Sequence, residues 1–116
     1  MKKTFDKRDF QLWEYRVSHG SLLVRSPKAG SYKTNLDLVF SGVEYVASPR
    51  HLISLEIDEP TPDEVRHVRE CIASNVHLEY VTILVAEGRR HFVVAAGLQV
   101  SENDMGIFDS PFDMLG

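Results

Sequence analysis

Apolar and polar positions alternate over residues 10–18, where Trp13, Tyr15 and Val17 stand against Glu14, Arg16 and Ser18. That period of two is the signature of a half-buried strand, and it makes Trp13 and Tyr15 candidates for the core. A second apolar run, Ser21-Leu22-Leu23-Val24-Arg25, starts directly after His19-Gly20. The two runs predict a tight hairpin in which Gly20 takes a positive φ. Pro27, Gly30 and the serines around them make residues 26–31 a loop.

A longer strand is expected over residues 34–46, with Leu36, Leu38 and Phe40 on one parity and Asp37 on the other. Beyond Ser41 the apolar parity passes to Val43 and Tyr45, which predicts a β-bulge at Gly42. In residues 51–57, Ile53, Leu55 and Ile57 share a face with His51, while Leu52, Ser54 and Glu56 take the opposite face.

The period then changes. Thr61-Pro62-Asp63-Glu64 is a helix start: Thr61 is the N-cap, Pro62 suits the first helical position and Glu64 completes a capping box. Val65, Val68 and Ile72 recur at helical spacing until Ser74-Asn75, giving one amphipathic helix of about fourteen residues, roughly 21 Å long. Two runs apolar on both parities follow, residues 77–86 and 91–100, joined by Glu87-Gly88-Arg89-Arg90. Strands covered on both faces read this way. Ala95, Ala96 and Gly97 are small enough for a neighbouring element or chain to approach closely.

The predicted order is β-β-β-β-α-β-β, an α+β domain over residues 1–100 with a mostly antiparallel, curved sheet of five or six strands and a single helix. Residues 101–116 form a tail in which Ile107, Phe108, Phe112, Met114 and Leu115 are spaced among acids. One short helix cannot cover both faces of such a sheet. The second face is left to curvature into a partial barrel, to the tail folding back, or to a second copy of the chain. The second copy leads, because large apolar patches are unusual on monomers.

Composition narrows the function. The chain has 116 residues, 43% hydrophobic and 26% charged, with 13 Lys and Arg against 17 Asp and Glu, a formal net charge of −4. That is an ordinary globular balance for one domain. The scattered cations argue against nucleic acid, whose phosphates call for a basic face. The basic start, Lys2, Lys3, Lys7 and Arg8, is interrupted by Asp6 and Asp9 and reads as neither a signal peptide nor a membrane anchor. The apolar runs are too short to cross a membrane as helices. A single cysteine, Cys71, without an export signal suits a reducing cytoplasm.

Candidate chemistry is sparse. His67 and Cys71, four apart on the helix with His77 nearby, have the spacing of two zinc ligands, but no second cysteine completes a tetrahedral set. As a nucleophile Cys71 would sit at the wrong end of a helix, where the dipole disfavours a thiolate. Ser18-His19-Gly20-Ser21 places hydroxyls beside an imidazole without the elbow that exposes a catalytic serine, and is better read as a turn bonding its own backbone. Asp37, Glu44, Glu56, Asp58 and Glu59 form no carboxylate pair of defined separation, and glycine-rich phosphate loops are absent. No cofactor or metal is expected.

Recognition is the remaining theme. Gly88-Arg89-Arg90-His91 puts cations at a hairpin tip, where bidentate arginine contacts grip a carboxylate or an acidic surface; a solvated turn is the plainer alternative. His19 and Arg25 lie near the other hairpin. Phe108 and Phe112 are apolar anchors between acids, suited to packing on this subunit or on a neighbour, against a frayed terminus. The leading expectation is therefore a non-catalytic protein-interaction module, of immunity, antitoxin or adaptor type in size and charge alone, binding a protein partner or a second copy as a homodimer. The rival is a small-ligand binder or enzyme with a pocket inside the curved sheet, with His19, Arg25, His51, His77 or His91 near its mouth.

Overall fold

The computed structural model describes residues 3–114. The apolar runs become strands β1 (Lys3–Arg16), β2 (Ser21–Ser26), β3 (Asn35–Ala47), β4 (His51–Asp58), β5 (Val81–Ala86) and β6 (Arg89–Asn103), the run expected over residues 77–86 being a strand only from Val81, after a 3-10 turn at Leu78–Tyr80. Helix α1 (Pro62–Ile72) lies between β4 and β5, so the expected order holds. The sheet goes further than curvature: it closes into an antiparallel barrel in the order β1-β2-β3-β6-β5-β4, with β4 returning to β1. Closure leaves no strand at the margin of the sheet, although the end of β3 pairs on one side only.

Local chemistry explains the turns. Gly20 takes φ 56° after a 3-10 turn at Val17–His19, and its carbonyl accepts from Val43 N at 2.9 Å. A Cβ on Gly20 would stand 3.2 Å from that same nitrogen. Gly42 has φ 60°, and a Cβ there would meet Ala96 Cβ at 2.9 Å. The small run at Ala95, Ala96 and Gly97 thus accommodates β3 of its own chain. The register slips between Val43 and Tyr45, leaving Glu44 as the extra residue, two positions beyond the Gly42 expected from the sequence.

Past this slip β3 no longer pairs with β2 and follows β6 alone. It ends diametrically opposite β4 in the ring, yet residues 48–50 suffice to join them. That link crosses the end of the barrel, and Leu12 N donates to Arg50 O at 2.9 Å.

Inside the barrel, Phe10, Leu22, Val24, Leu38, Phe40, Leu52, Leu55, Leu84, Ala86, Val93 and Ala95 form one buried cluster. Each fully buried large side chain contributes on the order of 1.5–3 kcal/mol. Two face assignments from the sequence are overturned. Leu52 is fully buried while Ile53 is 44% exposed, because Ser54 takes φ 54° opposite an irregularity of β1 between Phe5 and Asp9, which reverses the parity of β4. Tyr15 is 51% exposed, because β1 slips register between Leu12 and Glu14.

The outer faces are covered by two elements. Helix α1 has the capping box read from the sequence, with Glu64 N donating to Thr61 Oγ1 at 3.2 Å and Thr61 N to Glu64 Oε1 at 2.9 Å. It stops after eleven residues, at an αL Ala73. Its Val68, with Val76, Val81, Ile83 and Val94, makes a second apolar cluster packed with Phe92 and Tyr45. On the other side the tail folds back: β6 runs on to Asn103, a 3-10 turn forms at Pro111–Met114, and Phe112 is buried. Every residue of β2 is buried in consequence. Barrel, helix and tail together bury much of the apolar surplus that had favoured a second copy as the cover, while Val17, Ile53, Leu78 and Phe108 stay exposed. Among the described residues no helix is long and apolar enough to cross a membrane.

Candidate functional site

The covered face of β2 and β3 carries the densest polar chemistry in the fold. Arg25 and Asp37 are direct cross-strand partners, and both side chains are 0% exposed. Their contact is bidentate, Nε to Oδ1 at 2.7 Å and Nη2 to Oδ2 at 2.9 Å. Asn103 Nδ2 adds a bond to Asp37 Oδ2 at 2.8 Å, and Asn35, opposite Asn103 in the register, donates to its Oδ1 at 3.0 Å. A buried charge demands such saturation, since its desolvation cost is several kcal/mol. No buried side-chain nitrogen or oxygen among the described residues lacks a partner.

This network also reaches outward. Arg25 Nη1 donates to the carbonyls of Ile107 at 2.9 Å and Asp109 at 2.8 Å. Asn35 Nδ2 donates to Met105 O at 2.9 Å, and Lys28 Nζ to Asp104 O at 2.8 Å. Four main-chain carbonyls of the tail are therefore held by side-chain donors of the barrel. Around them, the Phe108 ring stacks on Trp13 with centroids 6.3 Å apart and an interplanar angle of 27°. Arg16 lies over the Phe112 ring at 5.6 Å and pairs with Asp113 at 2.7 Å. The result is a groove that holds a turned segment by its carbonyls, with tight turns at residues 106–109 and 110–113, Phe112 buried, and Phe108 stacked at the exposed edge.

Of the residues singled out from the sequence, Arg25, Phe108 and Phe112 converge here. Arg89, Arg90, His91 and His19 do not. Arg90 is engaged elsewhere: its guanidinium pairs with Glu64 at 2.9 Å and Asp58 at 3.0 Å and reaches Glu59 O, tying β6 to the start of α1. That pairing holds the Glu64 carboxyl below its ordinary value, the hydrogen bond from Arg90 being the main cause. Arg89 is exposed and forms no hydrogen bond or ion pair with a described residue. Burial, then repulsion from Arg89, lowers His91. His19 is exposed, with Nδ1 3.2 Å from Ser18 Oγ. Cys71 Sγ lies 3.5 Å from His67 Nε2, and no group of three metal-ligating side chains occurs among the described residues.

Sequence reading missed Trp13, Arg16, Lys28, Asn35 and Asn103 as members of this groove. Two signals pointed toward them: Arg25 and Asp37 are charges inside otherwise apolar strands, and the tail spaces its aromatics four apart.

A second feature is an open cleft of about 330 Å³ between the bulge of β3 and the segment after α1, with Glu44, His77 and Tyr80 at its rim. A further opening of about 330 Å³ lies where β3 leaves β2, lined by Leu12, Tyr15, Leu22, Val43 and Val46, while the rest of the barrel interior is filled by its own side chains.

No protein family, no curated protein and no solved structure matches the chain.

Proposed function

We propose that the protein is a non-catalytic interaction module whose working surface is the groove occupied by residues 104–114. Its partner is a protein that presents a segment able to take the same two turns, with two aromatics four residues apart and an acid after the second. Such a segment takes the place of the tail. The observation that carries this reading is the set of four tail carbonyls held by Arg25, Asn35 and Lys28. Main-chain recognition of this kind is indifferent to which chain supplies the carbonyls, while Trp13 and Arg16 select the side chains.

Self-association takes a specific form on the same reading. The tail of a second copy fits the groove as well as the resident one, so two copies exchanging tails form a homodimer without any new contact. Intramolecular docking benefits from an effective concentration on the order of millimolar, and exchange is favoured only as the protein approaches it.

The test uses a fluorescently labelled peptide of residues 104–114 and the full chain carrying Phe108→Ala. That variant weakens the resident tail without disturbing the core, since Phe108 is 85% exposed. The peptide is expected to raise its anisotropy on binding the variant more tightly than the wild type. It should also restore the emission of Trp13, the single tryptophan of the chain. Absence of binding to both proteins at millimolar peptide would reduce the groove to a structural cover.

A further inference from the structure

The cleft beside the β3 bulge is separate from the tail groove, and Glu44 is its one carboxylate, with no lysine or arginine among the lining residues. Glu44 is the residue left over where the pairing of β3 with β6 passes from Val43 opposite Ala95 to Tyr45 opposite Val94. A bulge re-aims the side chain it carries, and Glu44 lines the cleft as an exposed carboxylate without a partner among the described residues. The opposite wall begins where α1 ends. Residues 74 and 75 line the cleft directly after the αL cap at Ala73. Arg69, the cation of the last helical turn, is directed to Val76 O at 2.9 Å.

Two rings complete the surroundings. His77 and Tyr80 bracket a single 3-10 turn and meet edge to face, with centroids 6.3 Å apart and planes at 88°. An aromatic face attracts a cation through its quadrupole. The floor at Ala96, with Val94 buried beside it on the same face of β6, is small and apolar, shaped for an alkyl chain and not for a second charge.

We infer that this cleft binds a primary ammonium group on an alkyl chain, the chemistry shared by a lysine side chain of a docked protein and a free alkylamine. The carboxylate of Glu44 neutralises the ammonium, the Tyr80 ring covers it, and the methylenes lie on Ala96. This site does not depend on the tail groove: a peptide that fails to displace the tail leaves it untouched, and an ammonium that fails to bind here leaves the tail reading standing.

Titration of the full chain with n-butylammonium, followed by backbone amide shifts, tests the site, with n-butanol and n-butyrate as the neutral and reversed-charge probes. Saturable shifts at Asn75, His77 and Ala95 are expected with the ammonium alone, at affinity on the order of millimolar. Glu44→Gln should weaken binding roughly fivefold or more at unchanged Tm, because the carboxylate supports no contact of the fold. Tyr80→Phe should keep the affinity and Tyr80→Ala lower it. Equal shifts with n-butanol, or an ammonium affinity unchanged in Glu44→Gln, overturn the assignment. The peptide Ac-Gly-Lys-Gly-NH2 separates the two sources: tighter binding than n-butylammonium supports a protein lysine, and weaker binding supports a free amine.

Discussion

Two outer faces of the barrel are covered, one by α1 and one by the tail, and each cover has an arginine among its anchors, but the two arginines differ in kind. Arg25 lies beneath the tail with no exposed surface and divides its guanidinium between a buried carboxylate and two carbonyls. Arg90 ties α1 to the barrel at the rim, where its side chain is 34% exposed and its main partners are two carboxylates. The buried arginine is bound to a carboxylate and two carbonyls beneath the tail, its own side chain and that carboxylate both out of reach of water and salt. The rim arginine is bound to charges that water, salt and acid all weaken. The tail side is thus a recognition surface with fixed geometry, whereas the helix side is an electrostatic clip.

Removing each fastener separates the two. Arg25→Ala should have the largest effect, a loss of about 3–5 kcal/mol in denaturant unfolding, because it strands Asp37 as an uncompensated buried charge. Replacing the pair by Arg25→Met with Asp37→Leu should recover most of that stability while leaving the carbonyls of Ile107 and Asp109 without their donor. A fully stable double variant whose tail stays docked, read from Trp13 emission, would show that the arginine is not what holds the tail.

Arg90→Ala should cost less, about 1 kcal/mol, since an exposed ion pair is screened even when it is bidentate. Its signature is the pH dependence. Arg90 lowers the folded-state Glu64 carboxyl below its unfolded value, so the stabilisation is complete above the ordinary glutamate range, about 4.3, and is lost as pH falls through the lowered value. Chemical unfolding between pH 6 and 3, values chosen to span that titration, should show a shallower acid decline in Arg90→Ala than in the wild type. Parallel curves would remove Glu64 from the clip.

The smallest effect is expected at Phe108. Its replacement by Ala should change stability by less than about 1 kcal/mol, yet shift Trp13 emission clearly. A large stability loss there would mean that the tail is part of the core and not an exchangeable occupant.

Much of the fold was legible because its signals are local. The hairpin at Gly20, the capping box at Thr61 and Glu64 and the order of elements each follow from residues within a few positions of one another. The face assignments at Tyr15, Leu52 and Ile53 failed because irregularities in β1 and a positive φ at Ser54 reverse parity, and nothing in these residue types announces a register slip. The candidate site was half visible. Arg25, Phe108 and Phe112 stand out as a charge in an apolar run and aromatics in an acidic tail, while Lys28, Asn35 and Asn103 are unremarkable until strand pairing brings them to one face.

The sequence by itself determined where strands, turns and the helix form, since backbone preference and hydrophobic period are properties of short stretches. It also determined that more apolar surface exists than one helix hides. Only the tertiary structure decided what hides it: closure of the sheet between β4 and β1, and return of the tail onto β2 and β3. Both are contacts between residues far apart in the chain, and their free energy arises from burial and hydrogen bonds that exist only once the whole ring has closed.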